Sequence, residues 1–496
     1  MVRKRPDLRT LLFQAKERDS YVLVVGLGLS GLSACQLFIS AGFRVIGLED
    51  LRRDEFVEKC VDLKSFYELE KKGLKLVFSP VVNDYPTILD QVALAVLSPG
   101  INLKSPLLSA LRQLDIPYWG ELELGLLLSG AKSVVVTGTN GKSTTTSLIA
   151  NLLSMAGMPA RLCGNIGLPI SEVLQPQQLD GESMLKDFLV VEASSYQLES
   201  FADYEADIAV FMNLSNNHLA RHGTEEEYLK AKLKLFELQS SCAYSVINAD
   251  EPCLDQIKSS LRGRVVYFGE LLASREKHPG VWFDYRPSEG IDRLLLVSDA
   301  GCFETNISGA ELKGRHNRYN IAAAVCVGEI LNIPVDTTIK AVTAFKPLSH
   351  RMELVSTGWP LIINDSKATT VEATRVALSS ILEAYPDANV LLLLGGLSKG
   401  SSWQPLINLI QLVPEDQVKV VAFGSAAPEI HESFLEEMIE VEVFSEMQSA
   451  VRHAVNLLDK KSVLLFSPAC ASFDQFTDFE QRGNVFKSLV IRLIEH

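Results

Sequence analysis

Three times along this chain an apolar run ends in a glycine-rich turn: "YVLVVGLGLSG" at 21–31, "SVVVTGTNGKS" at 133–143 and "NVLLLLGGLSKG" at 389–400. Runs of four or five apolar residues suit strands buried on both faces, as in parallel sheets covered by helices. The first two lead straight into helical patterns, the third into a weaker one, "SSWQPLINLIQLV". The fold class is therefore α/β, with three α/β domains. The expected order is a Rossmann-like N-terminal domain, a central phosphate-loop domain with a parallel sheet and a small β insertion, and a Rossmann-like C-terminal domain. A length of 496 residues suits three domains. Bridging stretches at 114–132 and 331–355 place them at 1–120, 121–345 and 346–496. Short alternating segments at 265–312 read as the insertion, and the first 20 residues as a polar lead-in to the first strand.

Composition serves mainly to exclude. The net charge of −14 argues against a nucleic-acid partner, which needs a basic patch. A nucleotide needs only a local cradle and stays open. No run of about 18 apolar residues is free of charge, so no membrane span is expected. The basic N-terminus lacks the apolar core of a signal peptide. Eight scattered cysteines without a C-x-x-C pair read as reduced thiols of a cytoplasmic protein and argue against zinc.

In the first turn Gly26, Gly28 and Gly31 keep the G-x-G-x-x-G spacing between a strand and a helix. Such a turn lets the backbone approach a diphosphate at the helix N-terminus. Glu49 and Asp50 close the next strand, where an acid accepts hydrogen bonds from a sugar or base. The motif specifies a diphosphate-bearing nucleotide, with a nicotinamide cofactor among the possibilities. A second strand-end turn, "VLSPGIN" at 96–102, is placed to face the same crevice.

The second turn departs from the Walker pattern, because Val136 stands where that pattern has its first glycine. The loop from Gly138 to Ser143 still lets backbone N–H groups converge on phosphate oxygens. Lys142 can reach the β- and γ-phosphates and the Ser143 hydroxyl can ligate magnesium. Glu192 ends the apolar strand of "DFLVVEASSYQLES". It reads either as a magnesium ligand, direct or through water, or as a simple strand-end charge. His218 follows another apolar strand, "IAVFMNL". Thr224 and Glu227 have capping-box spacing and open a helix with Leu229, Leu233 and Phe236 on one stripe. Lys232 borders that stripe, where a lysine either snorkels to solvent or serves a site.

Taken together these motifs resemble the Mur ligases, ATP-dependent amide-forming enzymes of peptidoglycan synthesis. The resemblance covers most of the chain: "GLGLSGLS" (26–33), "TGTNGKST" (137–144), "GNIGLP" (164–169), "EASSYQLE" (192–199), "GRHNRYNIAAA" (314–324), "HRME" (350–353), "NDSKATT" (364–370), "LLGGLSKG" (393–400) and "SPACASFDQFTDFEQRGNVFK" (467–487). The last is similar to the D-glutamate-adding branch. The resemblance implies ATP and Mg²⁺ as cofactors. ATP would be held by Gly138, Thr139, Asn140, Gly141, Lys142, Ser143, Thr144, Asn317, Arg351 and Asp365. Magnesium would lie on Ser143, Glu192, His218 and Lys232, the last carbamylated. Lys142, Lys232, His218 and Arg351 would be catalytic. It also implies two partners. UDP-N-acetylmuramoyl-L-alanine would lie on Gly28, Ser30, Gly31, Asp50 and Asn165, although an ungapped alignment favours Glu49 over Asp50. D-glutamate would lie on Lys367, Thr369, Lys399, Ser472 and Phe479. His316 or His350 is a candidate acceptor for the amine proton, and "AFKPLSHR" at 344–351 a candidate hinge. A monomeric cytoplasmic enzyme is implied.

The chain also departs from the family. The usual Asp-His-x-Asp-Arg-His is here Asn217-His218-Leu219-Ala220-Arg221-His222, so both acids that would support the metal ligands are replaced. Leu397 stands where a polar residue is common. The rival readings are a folylpolyglutamate synthetase-like ligase, an inactive scaffold relative, and a nicotinamide oxidoreductase with a fused ATPase.

Overall fold

Alternate residues of the first apolar run enter two different cores. Val22 and Val24 of Tyr21–Val25 (β1) pack into one, Leu23 and Val25 into the other. That is why the run reads as continuously apolar: both faces of the sheet are covered. The same holds for Asn389–Gly395, where Val390, Leu392 and Leu394 face one core and Leu391 and Leu393 the other. The computed structural model describes residues 5–60, 62–181, 183–214, 224–272, 279–298, 301–346, 348–356, 358–414 and 416–494.

The described residues form three sheets. The first joins β1 with Arg44–Glu49 (β2), Lys75–Phe78 (β3), Val92–Leu97 (β4) and Tyr118–Gly120 (β5). Its order is β3-β2-β1-β4-β5 and every pairing is parallel. The strand order reverses between β1 and β4, the place where open α/β sheets form a ligand crevice.

The second sheet holds Ser133–Thr137 (β6), Ala160–Gly164 (β7), Phe188–Glu192 (β8), Ile208–Phe211 (β9), Tyr244–Asn248 (β10), Arg264–Glu270 (β11), Gly280–Arg286 (β12), Ile291–Ser298 (β13) and Gly301–Asn306 (β14). Its order is β14-β13-β12-β11-β10-β9-β6-β8-β7. β6 runs parallel to both neighbours, β8 and β9. The segments expected as a small β insertion lengthen this sheet, β11 pairing in parallel with β10.

The third sheet holds Glu353–Leu354 (β15), Leu361–Asn364 (β16), Asn389–Gly395 (β17), Val418–Phe423 (β18), Val441–Phe444 (β19) and Ser462–Ala469 (β20), in the order β15-β16-β20-β17-β18-β19. Only β15 is antiparallel.

The chain divides into two compact units. One comprises Met1–Trp282, Leu294–Glu304 and Tyr319–Val342; the other comprises Phe283–Arg293, Thr305–Arg318 and Thr343–His496. Their main boundary falls just before the stretch expected as a hinge. Among the described residues no helix is long and apolar enough to cross a membrane.

The N-terminal segment is not the polar lead-in its composition suggests. Leu8–Glu17 is a helix, because the Asp7 carboxylate accepts the Thr10 N–H and Leu8, Leu12 and Ala15 fall on one buried face. Arg5 just ahead of it donates to Glu123 and to Asp203, each at 3.1 Å. The stretch 114–132 is equally unlike a linker: it forms β5 and the helix Glu121–Ser129, with only Leu127 of that helix not fully buried.

Glu121 accepts the Ser171 N–H at 2.9 Å, and burial pushes its carboxyl pKa up to about 7. The folded state therefore binds this proton more tightly than the unfolded chain, and stability falls as pH rises from about 4.5 to about 7. Glu121→Gln should flatten that decline, measured as Tm against pH; an unchanged slope would refute the assignment.

Candidate active site

Both glycine-rich turns of the first unit sit at strand ends because their glycines accept conformations and contacts that a Cβ would forbid. In the N-terminal turn Gly26 has φ +85°, and a Cβ on Gly31 would lie 1.9 Å from the Gly26 carbonyl oxygen. The Ser98 hydroxyl, from the turn after β4, donates to that same oxygen at 2.7 Å, so the two turns do share one crevice. Glu49 accepts the Leu27 N–H at 2.9 Å and the Asp50 N–H at 3.0 Å. The carboxylate that meets the glycine turn is thus that of Glu49, while Asp50 is exposed. Gly28 caps the helix Leu29–Ser40, which carries Ser30 and Gly31 in its first turn.

The phosphate loop follows β6, which is buried throughout and contains Val136. Gly138 and Gly141 have φ of +144° and +79°, and Gly141 precedes the helix Lys142–Met155. The first N–H groups of a helix point outward without intrahelical partners and favour anions. The Lys142 ammonium lies back across the loop, donating to the carbonyls of Gly138 at 3.0 Å and Thr139 at 2.7 Å.

Glu192, at the end of the neighbouring β8, accepts the Ser143 hydroxyl at 2.5 Å and the Asn165 side-chain N–H at 2.7 Å. It is 2% exposed. Lys232 is 1% exposed and donates to the Gly138 carbonyl at 2.8 Å, its Nζ 4.4 Å from the centre of the Tyr228 ring. It does not snorkel. Burial, reinforced by the Lys142 charge, holds it well below the usual lysine range.

A serine hydroxyl and a carboxylate in contact suit a hard divalent cation. A lysine amine does not, whereas a carbamate on the same nitrogen supplies the oxygens such a cation prefers. His218 lies outside the described residues. Among those described, no three His, Cys, Asp or Glu side chains gather as a metal cluster.

In the second unit the candidates collect at the C-terminal ends of parallel strands β16, β17 and β20. Lys367 Nζ lies 4.7 Å from the Phe479 ring centre, and Lys399 donates to the Thr369 hydroxyl at 3.4 Å. Ser472 is buried in the turn after β20. Asp365 accepts the Ser467 hydroxyl at 2.8 Å and the Met352 N–H at 3.2 Å; burial, opposed by Arg351, pushes its pKa up to about 7. Asn317 donates to the Lys313 carbonyl at 2.7 Å.

Both candidate histidines are engaged through Nδ1. His316 Nδ1 pairs with the Ser380 hydroxyl at 2.6 Å, and burial lowers its pKa to about 4. His350 is 5% exposed and bonded through Nδ1 to the Asn364 amide; burial lowers its pKa too.

Comparison with known proteins shows the family. The model described as the Mur ligase middle domain matches residues 136–328, and that described as the Mur ligase, glutamate ligase domain matches 350–470. The UDP-N-acetylmuramoylalanine–D-glutamate ligase of Koribacter versatilis is 34% identical over 485 residues, covering 96% of this chain and 98% of its own. The chain belongs to the Mur ligase family. The enzyme of the same name from Acidobacterium capsulatum is also 34% identical, over 478 residues, 95% of this chain and 96% of its own. Among solved structures, MurF from Acinetobacter baumannii shares the fold with a TM-score of 0.61 at 16% identity, covering 99% of both chains.

Two residues in contact with the candidate residues, one in each unit, escaped sequence reasoning. Asn320 accepts the Thr145 hydroxyl at 3.1 Å, and its Oδ1 would lie 2.4 Å from a Cβ on Gly141. Arg482 is fully buried and donates to the Ser366 hydroxyl and carbonyl and to the Cys470 carbonyl, at 3.1, 2.7 and 3.0 Å. It ties together the loops that carry Lys367 and Ser472. A signal was available: Arg482 shares the buried stripe of Phe479–Ile494 with Phe486 and Leu489, where an unpaired charge would be costly.

Proposed function

We propose that this Mur ligase joins D-glutamate to UDP-N-acetylmuramoyl-L-alanine at the expense of ATP, through an acyl phosphate, in cytoplasmic peptidoglycan precursor synthesis. The observation that carries the reading is the contact of Ser143 with Glu192, with Lys142 and Lys232 both donating to the Gly138 carbonyl of the phosphate loop. It stands in a chain one-third identical to ligases of that name over nearly its whole length.

An oxygen of the alanyl carboxylate attacks the γ-phosphorus, the bond to the bridging oxygen breaks, and ADP leaves. The deprotonated D-glutamate amine then attacks the acyl carbon, the carbon–oxygen bond to phosphate breaks, and the nitrogen gives up one proton, which the departing phosphate can carry away. The first step brings two anions together, so positive charge dominates the catalysis. Lys142 and Arg351 supply it from this chain. Ser143, Glu192, His218 and a carbamylated Lys232 would hold magnesium, which when bound screens the phosphate oxygens. Gly138 to Thr144, with Asn317 and Asp365, orient the nucleotide. Gly28, Ser30, Gly31, Glu49 and Asn165 receive the uridine-diphosphate substrate, Glu49 replacing Asp50 because it is the acid that faces the glycine turn.

D-glutamate carries two carboxylates, which Lys367 and Lys399 answer, with Thr369, Ser472 and Phe479 shaping the pocket. Lys399→Ala should raise the KM for D-glutamate roughly tenfold or more, the loss of one charge-assisted contact, with the KM for ATP little changed. The deciding experiment is phosphate release from ATP with UDP-N-acetylmuramoyl-L-alanine and Mg²⁺. Strict dependence on D-glutamate supports the proposal. Release driven by a folate and L-glutamate, or no release at all, refutes it.

A further inference from the structure

We infer that Asn213 is the positioning residue of the phosphate loop, holding it from outside in its nucleotide-receiving shape. This rests on reading the loop as the nucleotide site. Asn213 follows β9, one strand over from the loop. Its side-chain oxygen accepts the Asn140 N–H at 2.7 Å, and its side-chain N–H donates to the Asn140 carbonyl at 3.1 Å. The amide thus closes a two-bond ring on the residue at the loop's tip. Its own carbonyl accepts the Thr139 N–H at 2.8 Å. A Cβ on Gly138 would stand 2.8 Å from the Met212 Cβ and 3.0 Å from the Asn213 nitrogen, so the loop is moulded against this segment.

The segment is fastened in turn. The Met212 N–H donates to Thr137 at 2.9 Å, and the Met212 carbonyl accepts the Asn248 amide at 2.8 Å. The Leu214 N–H donates to Glu251 at 2.9 Å.

Two of the loop's N–H groups are therefore spent on Asn213 rather than aimed at phosphate. The donors for phosphate come instead from the start of the helix Lys142–Met155. Asn213 acts through the loop: without it the nucleotide itself must order Thr139 and Asn140, and part of its binding energy is lost to that task.

The test compares Asn213→Ala with Asn213→Asp. Asp keeps the acceptor for the Asn140 N–H but loses the donor. Asn213→Ala should raise the KM for ATP and the Kd for ADP about tenfold, the loss expected for one buried hydrogen-bonding group. Asn213→Asp should fall between it and the wild type, and the KM for D-glutamate should stay within twofold in both. A lowered Tm with unchanged ATP and ADP parameters overturns the inference. Should the variants not fold, hydrogen exchange in the wild type decides. The Asn140 amide should be protected before any nucleotide is added; protection that arises only with ADP overturns the clamp. A wild type that binds no ADP refutes the nucleotide reading, while Asn140 protection still reports the clamp.

Discussion

Lys142→Ala should lower D-glutamate-dependent phosphate release by about 10²–10³, the usual consequence of removing one preorganised charge from a transition state that concentrates negative charge. The ammonium sits over the carbonyls of Gly138 and Thr139, on a loop that its glycines and Asn213 also hold in shape. Truncation therefore removes charge with little rearrangement, and Tm should stay within a few degrees of wild type. Lys142→Arg should not restore the rate, because a planar guanidinium cannot take the place of a compact ammonium in so close a turn. Steady-state phosphate release with a thermal melt checks both statements. A Lys142→Ala rate within tenfold of wild type would place the charge neutralisation elsewhere.

Lys232→Ala should cost at least as much, and added bicarbonate should not restore it. Burial, reinforced by the Lys142 charge, holds its amine well below the usual lysine range and so shifts it toward the neutral form. A neutral amine adds to carbon dioxide, releasing a proton and leaving an anionic carbamate. A carbamate there would put oxygen donors, in place of an amine, near Glu192. Labelled bicarbonate should give a carbamate resonance in the wild type that Lys232→Ala lacks. Wild-type activity should fall when carbon dioxide is stripped from the buffer and return when it is restored. An active Lys232→Ala, or a wild type without that resonance, would leave Lys232 a buried amine holding the loop through Gly138.

The elements legible in the sequence were those set by a strong local pattern. Apolar runs ending in glycine gave β1, β6 and β17 with their turns, and the parallel sheets followed. What stayed hidden depended on distant partners. Leu8–Glu17 looks polar because only three of its side chains are buried, and the acids at 121 and 123 look solvent-facing until Ser171, Arg5 and the backbone at 202–204 meet them. The same limit applied at the site. Lys142, Ser143 and Glu192 lie in motifs whose residue types announce their chemistry, whereas Asn320 and Arg482, though inside motifs too, act through residues far away in sequence. Lys232 could not be assigned from helical projection, which left it on the border of a stripe that the fold buries.

The hydrogen bonds of Arg5 have a consequence for how the chain is made. Its partners Glu123 and Asp203 lie 118 and 198 positions downstream. A nascent polypeptide can complete its first sheet, β1 to β5, once residue 120 has emerged from the ribosome. The arginine that docks the opening helix must still wait for some eighty residues more (Asp203 against Gly120). During that interval of translation the leading end has its fold but not its full mooring, and a stalled ribosome would hold it so.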